Sequence, residues 1–282
     1  MKFIRKNKYL SILIILLLIS SINILLLNKA NNDVSALKKD YEAINKKYVE
    51  VSQENENIKY DLLELKAKTK DKKNYNKRKN EKIIYLTFDD GPSDNTTKII
   101  EILKKYNVKA TFFVINHQGD ERYKAIIDSG NAIGLHSFAH KYDMYDNVNL
   151  FMSDLSKIHK RVLDATGVDV KSFRFAGGSS NSFVNDKTFT EIKKETIIKG
   201  YDYYDWNCSS DDATAALVKK KDIVKAATSC DNLNHINLLM HDAGAKDTTV
   251  DALSDIIEHY QKKGYSFEVI DNNAMAIKHR VK

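Results

Sequence analysis

Two adjacent carboxylates, Asp89 and Asp90, end an apolar run and are followed at once by Gly91 and Pro92, the one proline among 282 residues. Successive side chains on a strand point to opposite faces, so one pocket can receive both carboxylates only if the backbone splays at the strand's end. Side by side they repel, and a metal ion, a cation or a shared proton must divide them. A turn in which the pair caps a helix is the plainer alternative. His136 and His140 follow at i and i+4, without the Glu that a zincin places after its first His; such a pair can share a metal if the segment is helical. Arg174 then leads into Ala176-Gly177-Gly178, Asp202 and Asp205 flank two tyrosines ahead of Trp206, and Leu239 stands two residues before His241. Each cluster alone also has an ordinary structural reading.

The elements that must position these groups alternate regularly. Residues 83–88, 110–115, 132–136, 172–175, 201–206, 236–241 and 267–270 read as strands, and 96–106, 121–128, 150–165, 187–199, 216–228 and 251–263 as helices. This pattern predicts an α/β fold with a parallel sheet and right-handed crossovers, a distorted (β/α) barrel of about seven strands. Function in such a barrel gathers at the C-terminal ends of the strands, where the five clusters fall. An open doubly wound sheet competes, but no Gly-x-Gly-x-x-Gly follows the first strand.

The first 80 residues have a different character. Four basic residues precede an uncharged Leu/Ile-rich run over 10–27. Its eighteen residues would span ~27 Å as a helix, close to a bilayer's hydrocarbon core. The flanking charge places the N-terminus in the cytoplasm and the rest outside. A cleaved signal peptide would carry small residues at both −3 and −1, and Leu25-Leu26-Leu27-Asn28-Lys29-Ala30 offers no such site. We therefore expect a cytoplasmic tip and signal anchor over 1–30. Over 31–65, Val34, Tyr41, Tyr48, Asn55 and Leu62 alternate in 3–4 steps with Leu37, Ile44, Val51, Ile58 and Leu65. This heptad pattern predicts a coiled-coil stalk, with Asn55 at an a position favouring a parallel homodimer; a lone helix packed on the main domain is the alternative. Residues 66–80 are rich in Lys and Asn and read as a basic flexible linker.

The charge follows these boundaries. Residues 1–80 hold eighteen Lys/Arg against nine acids, and 81–282 hold twenty-seven against twenty-nine. The main domain is nearly neutral, which argues against a nucleic-acid partner. Cys208 and Cys230 are the only cysteines; outside the membrane a disulfide and two free thiols are both open.

In their order, Thr87-Phe88-Asp89-Asp90-Gly91-Pro92, His136-Ser137-Phe138-Ala139-His140, Arg174-Phe175-Ala176-Gly177-Gly178, Asp202-Tyr203-Tyr204-Asp205-Trp206 and Leu239-Met240-His241 resemble the five motifs of the polysaccharide deacetylase (NodB-homology, carbohydrate esterase family 4) domain. The likeness covers roughly residues 81–275. The third motif departs from it, with Ala176 where the family has proline and Gly177 where it has an aromatic. The resemblance implies that Asp90, His136 and His140 bind a divalent metal, zinc foremost, with cobalt or manganese as alternatives. It implies Asp89 as general base oriented by Arg174, and His241 as general acid held by Asp205. Trp206 and Leu239 would form an apolar wall for the acetyl methyl, and the Gly177 amide would help hold the oxyanion. The reaction so implied is N-deacetylation of a sugar polymer. An enzyme tethered outside the membrane faces the cell wall, so the expected substrate is peptidoglycan N-acetylglucosamine, and its deacetylation would confer lysozyme resistance. Poly-N-acetylglucosamine, muramic acid residues and O-acetylated xylan are alternative substrates, and a non-catalytic glycan-binding scaffold is the alternative to an enzyme.

Overall fold

The computed structural model describes residues 2–271 and 274–279, with side chains from Leu10 onward. The chain divides into two compact units, one ending at Lys59 and one beginning at Tyr60. The second holds a parallel sheet of eight strands: β1 (Ile83–Gly91), β2 (Ala110–Ile115), β3 (Ala132–Ser137), β4 (Ser172–Phe173), β5 (Asp202–Tyr203), β6 (Cys208–Ser209), β7 (His235–His241) and β8 (Ser266–Phe267). Their order is β5-β4-β3-β2-β1-β7-β6, with β8 beside the start of β1. β5 and β6 remain edges, so the expected distorted barrel is a curled, open half-barrel. β6 is the strand that the apolar pattern does not reveal, because Cys208 and Ser209 lie among Asn207, Ser210 and Asp211 with no apolar run around them.

Helices α2 (Asp94–Lys105), α3 (Asp120–Asp128), α4 (Val148–Thr166), α5 (Asp186–Ile198), α6 (Lys220–Ala227) and α7 (Asp247–Lys262) provide the crossovers. Three of them begin at side-chain caps: Ser93 and Thr96 form a reciprocal capping box at α2, and the side chains of Asn147 and Asn185 accept amides at the starts of α4 and α5.

Strand period two sorts β1 into two functions. Ile84, Leu86 and Phe88 belong to the main core beneath the helices, and Phe88 stacks on Phe112 at 5.2 Å. Ile83 and Tyr85 face the inside of the half-barrel with Phe113, Tyr204 and Ile270. Thr87 and Asp89 continue that inner face, which is how an apolar strand delivers a carboxylate to the interior. In β7, Ile236, Leu238 and Met240 join the main core, which leaves Asn237, Leu239 and His241 to the inner face.

The segment expected to be a flexible linker is helical. α1 runs from Lys2 to Arg78 as one element. From Tyr60 on, it belongs to the same unit as the sheet: Glu64 pairs with Lys193 at 3.0 Å, and Arg78 takes both oxygens of Glu268 at 2.5 and 2.8 Å. Burial pushes the Asp71 carboxyl above its ordinary value. Lysine is a good helix former, and Lys77 and Arg78 suit the negative end of the helix dipole, so a Lys-rich composition does not by itself unfold this stretch. The heptad residues Val34 through Leu65 are exposed in the single chain. Residues 10–27 lie in the one described helix apolar enough to cross a membrane, compatible with a single-pass anchor.

Cys208 and Cys230 form a disulfide with Cα atoms 6.0 Å apart, tying β6 to the segment after α6. It closes a 22-residue separation, so replacing both cysteines by alanine should cost about 2–4 kcal/mol. Chemical denaturation of the detergent-solubilised chain checks this value, and an unchanged midpoint would contradict it.

Candidate active site

Arg174, one residue beyond β4, is fully buried. Its Nη1 donates to Asp89 Oδ1 and to Thr87 Oγ1, both at 2.8 Å. Its Nε donates to the Tyr204 carbonyl at 2.9 Å, and Nη2 to the Asp205 carbonyl at 3.2 Å and Asn237 Oδ1 at 3.1 Å. Below it lies the Phe113 ring, 4.2 Å from Cζ to centroid. That ring needs Gly134, since a Cβ there would collide with it. The guanidinium is thus satisfied on every side, as a buried charge must be.

Asp90 points elsewhere. The register between β1 and β2 shifts between Asp89 and Gly91, and Asp90 takes a φ of 70°. This bulge turns its side chain out of strict alternation, which is how adjacent carboxylates share one pocket while having different neighbours. Asp90 Oδ1 stands 3.2 Å from His140 Nε2 and 3.6 Å from His136 Nε2. The three ligand atoms lie within 4.8 Å of one another, and Asp90 Oδ1 is buried without a hydrogen-bond partner. His136 Nδ1 meets the Arg174 carbonyl at 2.9 Å. A carbonyl only accepts, so Nδ1 carries the proton and Nε2 keeps its lone pair for the pocket. Burial holds the His136 imidazole below its ordinary value despite the two carboxylates. Two imidazole nitrogens and an orphaned carboxylate oxygen are a donor set that fits a divalent cation with room for further ligands.

The histidines do not meet on a helix. His136 lies in β3, and the chain turns back so that His140, at a φ of 49°, faces it. Asp154 on α4 fixes this turn: it accepts the amides of Phe138 and Ala139 at 2.7 and 3.0 Å and the Ser137 hydroxyl at 2.9 Å. The sequence reading missed Asp154, because an acid in the middle of a helix looks like a solvated face.

β1 and β7 place Asp89 directly beside His241 in register. The acid supporting His241 is Asp212, not Asp205. Asp212 Oδ1 lies 2.7 Å from His241 Nδ1, and Oδ2 accepts the His241 amide and the Thr249 hydroxyl, each at 2.8 Å. Asp205 instead accepts the amide and hydroxyl of Ser179 at 2.8 and 2.5 Å and the His279 amide at 2.8 Å. It lies beyond β5, on the far side of the sheet from β7, whereas Asp212 follows β6, which pairs with β7. Recognising β6 would have drawn attention to the acid three residues after it. Burial alone would raise Asp212, but its bonds from His241 and Thr249 outweigh that and leave it below the usual carboxylate range. Burial likewise works against His241 as a cation, and the Asp212 bond outweighs it, so His241 stands above its ordinary value.

Leu239, on the His241 face of β7, is buried outside the main core. Trp206 is half-buried, close to Gly178 and 5.7 Å from Arg174. Gly177 has a φ of 77° in the loop after β4, and the carbonyl of Ala176 accepts from Tyr145 Oη at 2.9 Å.

A family model described as polysaccharide deacetylase matches residues 76–197. The catalytic domain of peptidoglycan N-acetylglucosamine deacetylase from Eubacterium rectale superposes with a TM-score of 0.68 at 35% identity, over 71% of this chain and 94% of that one. The peptidoglycan-N-acetylglucosamine deacetylase PgdA of Listeria monocytogenes is 32% identical over 199 residues, which cover 69% of this chain and 39% of the relative. A bifunctional xylanase/deacetylase of Pseudobutyrivibrio xylanivorans is 32% identical over 195 residues, 68% of this chain and 30% of the relative. The chain thus spans well under half the length of these two relatives.

If His241 acts as an acid, its raised value keeps it charged to higher pH, and activity is present below that value and lost as pH rises through it. Asp212→Asn removes the balancing charge, so the alkaline limb of the kcat/KM profile should move to lower pH and kcat should fall at least about tenfold. The same change at Asp205 should leave that limb in place. A limb that follows Asp205 instead would contradict this pairing.

Proposed function

Given that the chain belongs to the polysaccharide deacetylase family, hydrolases that act on carbohydrate amide bonds, we propose that it removes acetyl groups from N-acetylglucosamine residues of peptidoglycan, leaving glucosamine and acetate. The observation that carries the proposal is the register of β1 against β7, which sets Asp89 and His241 side by side next to the Asp90, His136 and His140 cluster.

Asp90, His136 and His140 would hold the divalent ion, zinc foremost, which supplies Lewis-acid polarisation of the acetamide carbonyl and acidifies water. Asp89, oriented by Arg174, takes the proton of the attacking water as the new C–O bond forms. His241, its Nδ1 proton committed to Asp212, uses Nε2 to protonate the amine nitrogen as the C–N bond breaks. The amine nitrogen thus takes its proton from His241 and departs as glucosamine, and the acetyl carbon leaves as acetic acid carrying the oxygen of water and ionises to acetate. The proton held by Asp89 passes back to His241, so that both groups return to their starting states. The Gly177 amide donates toward the oxyanion, and Leu239 and Trp206 bound the space for the acetyl methyl.

The apolar helix and the peptidoglycan deacetylases among the relatives support action at the cell wall, with the catalytic unit outside the membrane. Loss of acetyl groups there would protect the wall from lysozyme. Mass spectrometry of muropeptides from cells with and without the chain tests the substrate. Deacetylated glucosamine should disappear with the chain and return with the wild type, but not with His241→Ala. Unchanged N-acetylglucosamine acetylation, or a change confined to muramic acid, would overturn the assignment.

A further inference from the structure

Among the described residues after 80, Tyr142 and Phe183 are the exposed aromatic side chains, at 40% and 56% of their accessible surface. They are not scattered. Their rings stack with centroids 3.8 Å apart and planes 16° apart. Tyr142 stands two residues beyond His140, with ring centroids 6.1 Å apart. Phe183 comes from a different segment, the loop after β4, and one of its faces is taken by Tyr142. Its exposure therefore belongs to the opposite face and the rim.

The loop that presents Phe183 is held. Asn181 Oδ1 accepts the Phe183 amide at 3.0 Å, and Asn181 Nδ2 donates to the Gly178 carbonyl at 2.8 Å. Tyr145, in the same short 3-10 turn as Tyr142, donates to the Ala176 carbonyl at 2.9 Å. The aromatic pair thus bridges two segments, one carrying His140 and the other Gly177. Two large rings left open to water beside His140 are a surface that a ligand can cover. The carbon–hydrogen face of a pyranose suits an open aromatic face, and the pair carries no charge to balance a phosphate or a carboxylate.

We propose that Phe183, backed by Tyr142, is a stacking platform for a neighbouring sugar ring of the glycan strand, and so makes the enzyme select polymer over short fragments. This rests on the deacetylase reading above. Because the pair is stacked and tied before any ligand arrives, little ordering is needed on binding.

The test uses the full chain in detergent with zinc, and the pentasaccharide and disaccharide of N-acetylglucosamine as probes, followed by calorimetric binding and acetate release. Phe183→Ala and Phe183→Leu should each weaken pentasaccharide affinity about five- to tenfold and lower the preference for pentasaccharide over disaccharide by a similar factor. Phe183→Trp should restore both. Leucine keeps an apolar contact with Tyr142 but has no ring face, so a residue that merely props the loop would tolerate it. Pentasaccharide affinity that survives Phe183→Leu overturns the platform, as does a wild type that binds both sugars alike. If acetate is released while Phe183→Leu binds like the wild type, the deacetylase reading stands and the platform falls. If binding depends on the ring but no acetate appears, the platform stands and the deacetylase reading falls.

Discussion

A guanidinium buried inside a parallel half-barrel is the constraint on which the rest of this structure depends. Taking Arg174 and Asp89 out of water costs several kcal/mol per ion, and their attraction offsets that only when the remaining donors are also satisfied. That requirement reaches across the fold. Thr87 and Asp89 come from β1, Tyr204 and Asp205 from the chain around the end of β5, and Asn237 from β7. Lysine could not make this pattern, since it lacks the planar fork that addresses several acceptors at once. The pair is therefore a clasp between strands on both sides of β1 as well as an element of the site. Losing either partner leaves the other charge buried and unpaired, typically a loss of 3–5 kcal/mol.

The clasp also explains why two adjacent carboxylates can coexist. Strand alternation brings Asp89 inward to meet Arg174, and the bulge at Asp90 turns the second carboxylate toward the two histidines. A similar economy operates on β7, where His241 lies in register with Asp89 and is backed by Asp212 from the edge strand. Backbone geometry, more than the identity of any single loop, gives Asp89, His241 and the Asp90, His136 and His140 cluster their different neighbours.

Much of this was legible in the sequence because it follows short-range rules. The apolar run of β1, its alternation and the Gly-Pro that ends it mark a strand terminus, and five such termini carry the polar clusters. What escaped is what depends on contacts between segments distant in sequence. β6 is two residues long and exists because β7 pairs with it, so Asp212 could not be distinguished from Asp205 by local pattern. Asp154 steadies a turn some fifteen residues earlier, and nothing beside it in sequence announces that. Residues 66–78 have a composition suited to a solvated linker, yet Asp71 and Arg78, with Glu64 just before them, find partners or cover on the folded domain, and tertiary contact sustains the helix. The disulfide was undecided for the same reason: spacing gives no distance between two cysteines until the sheet is built.

The division between the two carboxylates can be measured directly. Zinc content of the purified chain and its Asp89→Asn and Asp90→Asn variants, determined by elemental analysis with circular dichroism to verify folding, separates a base from a ligand. Asparagine at 89 retains an oxygen to accept from Arg174, so this variant should bind one zinc per chain, as the wild type does, while releasing no acetate. Asparagine at 90 should strip the metal. Zinc lost from Asp89→Asn and retained in Asp90→Asn would contradict the division.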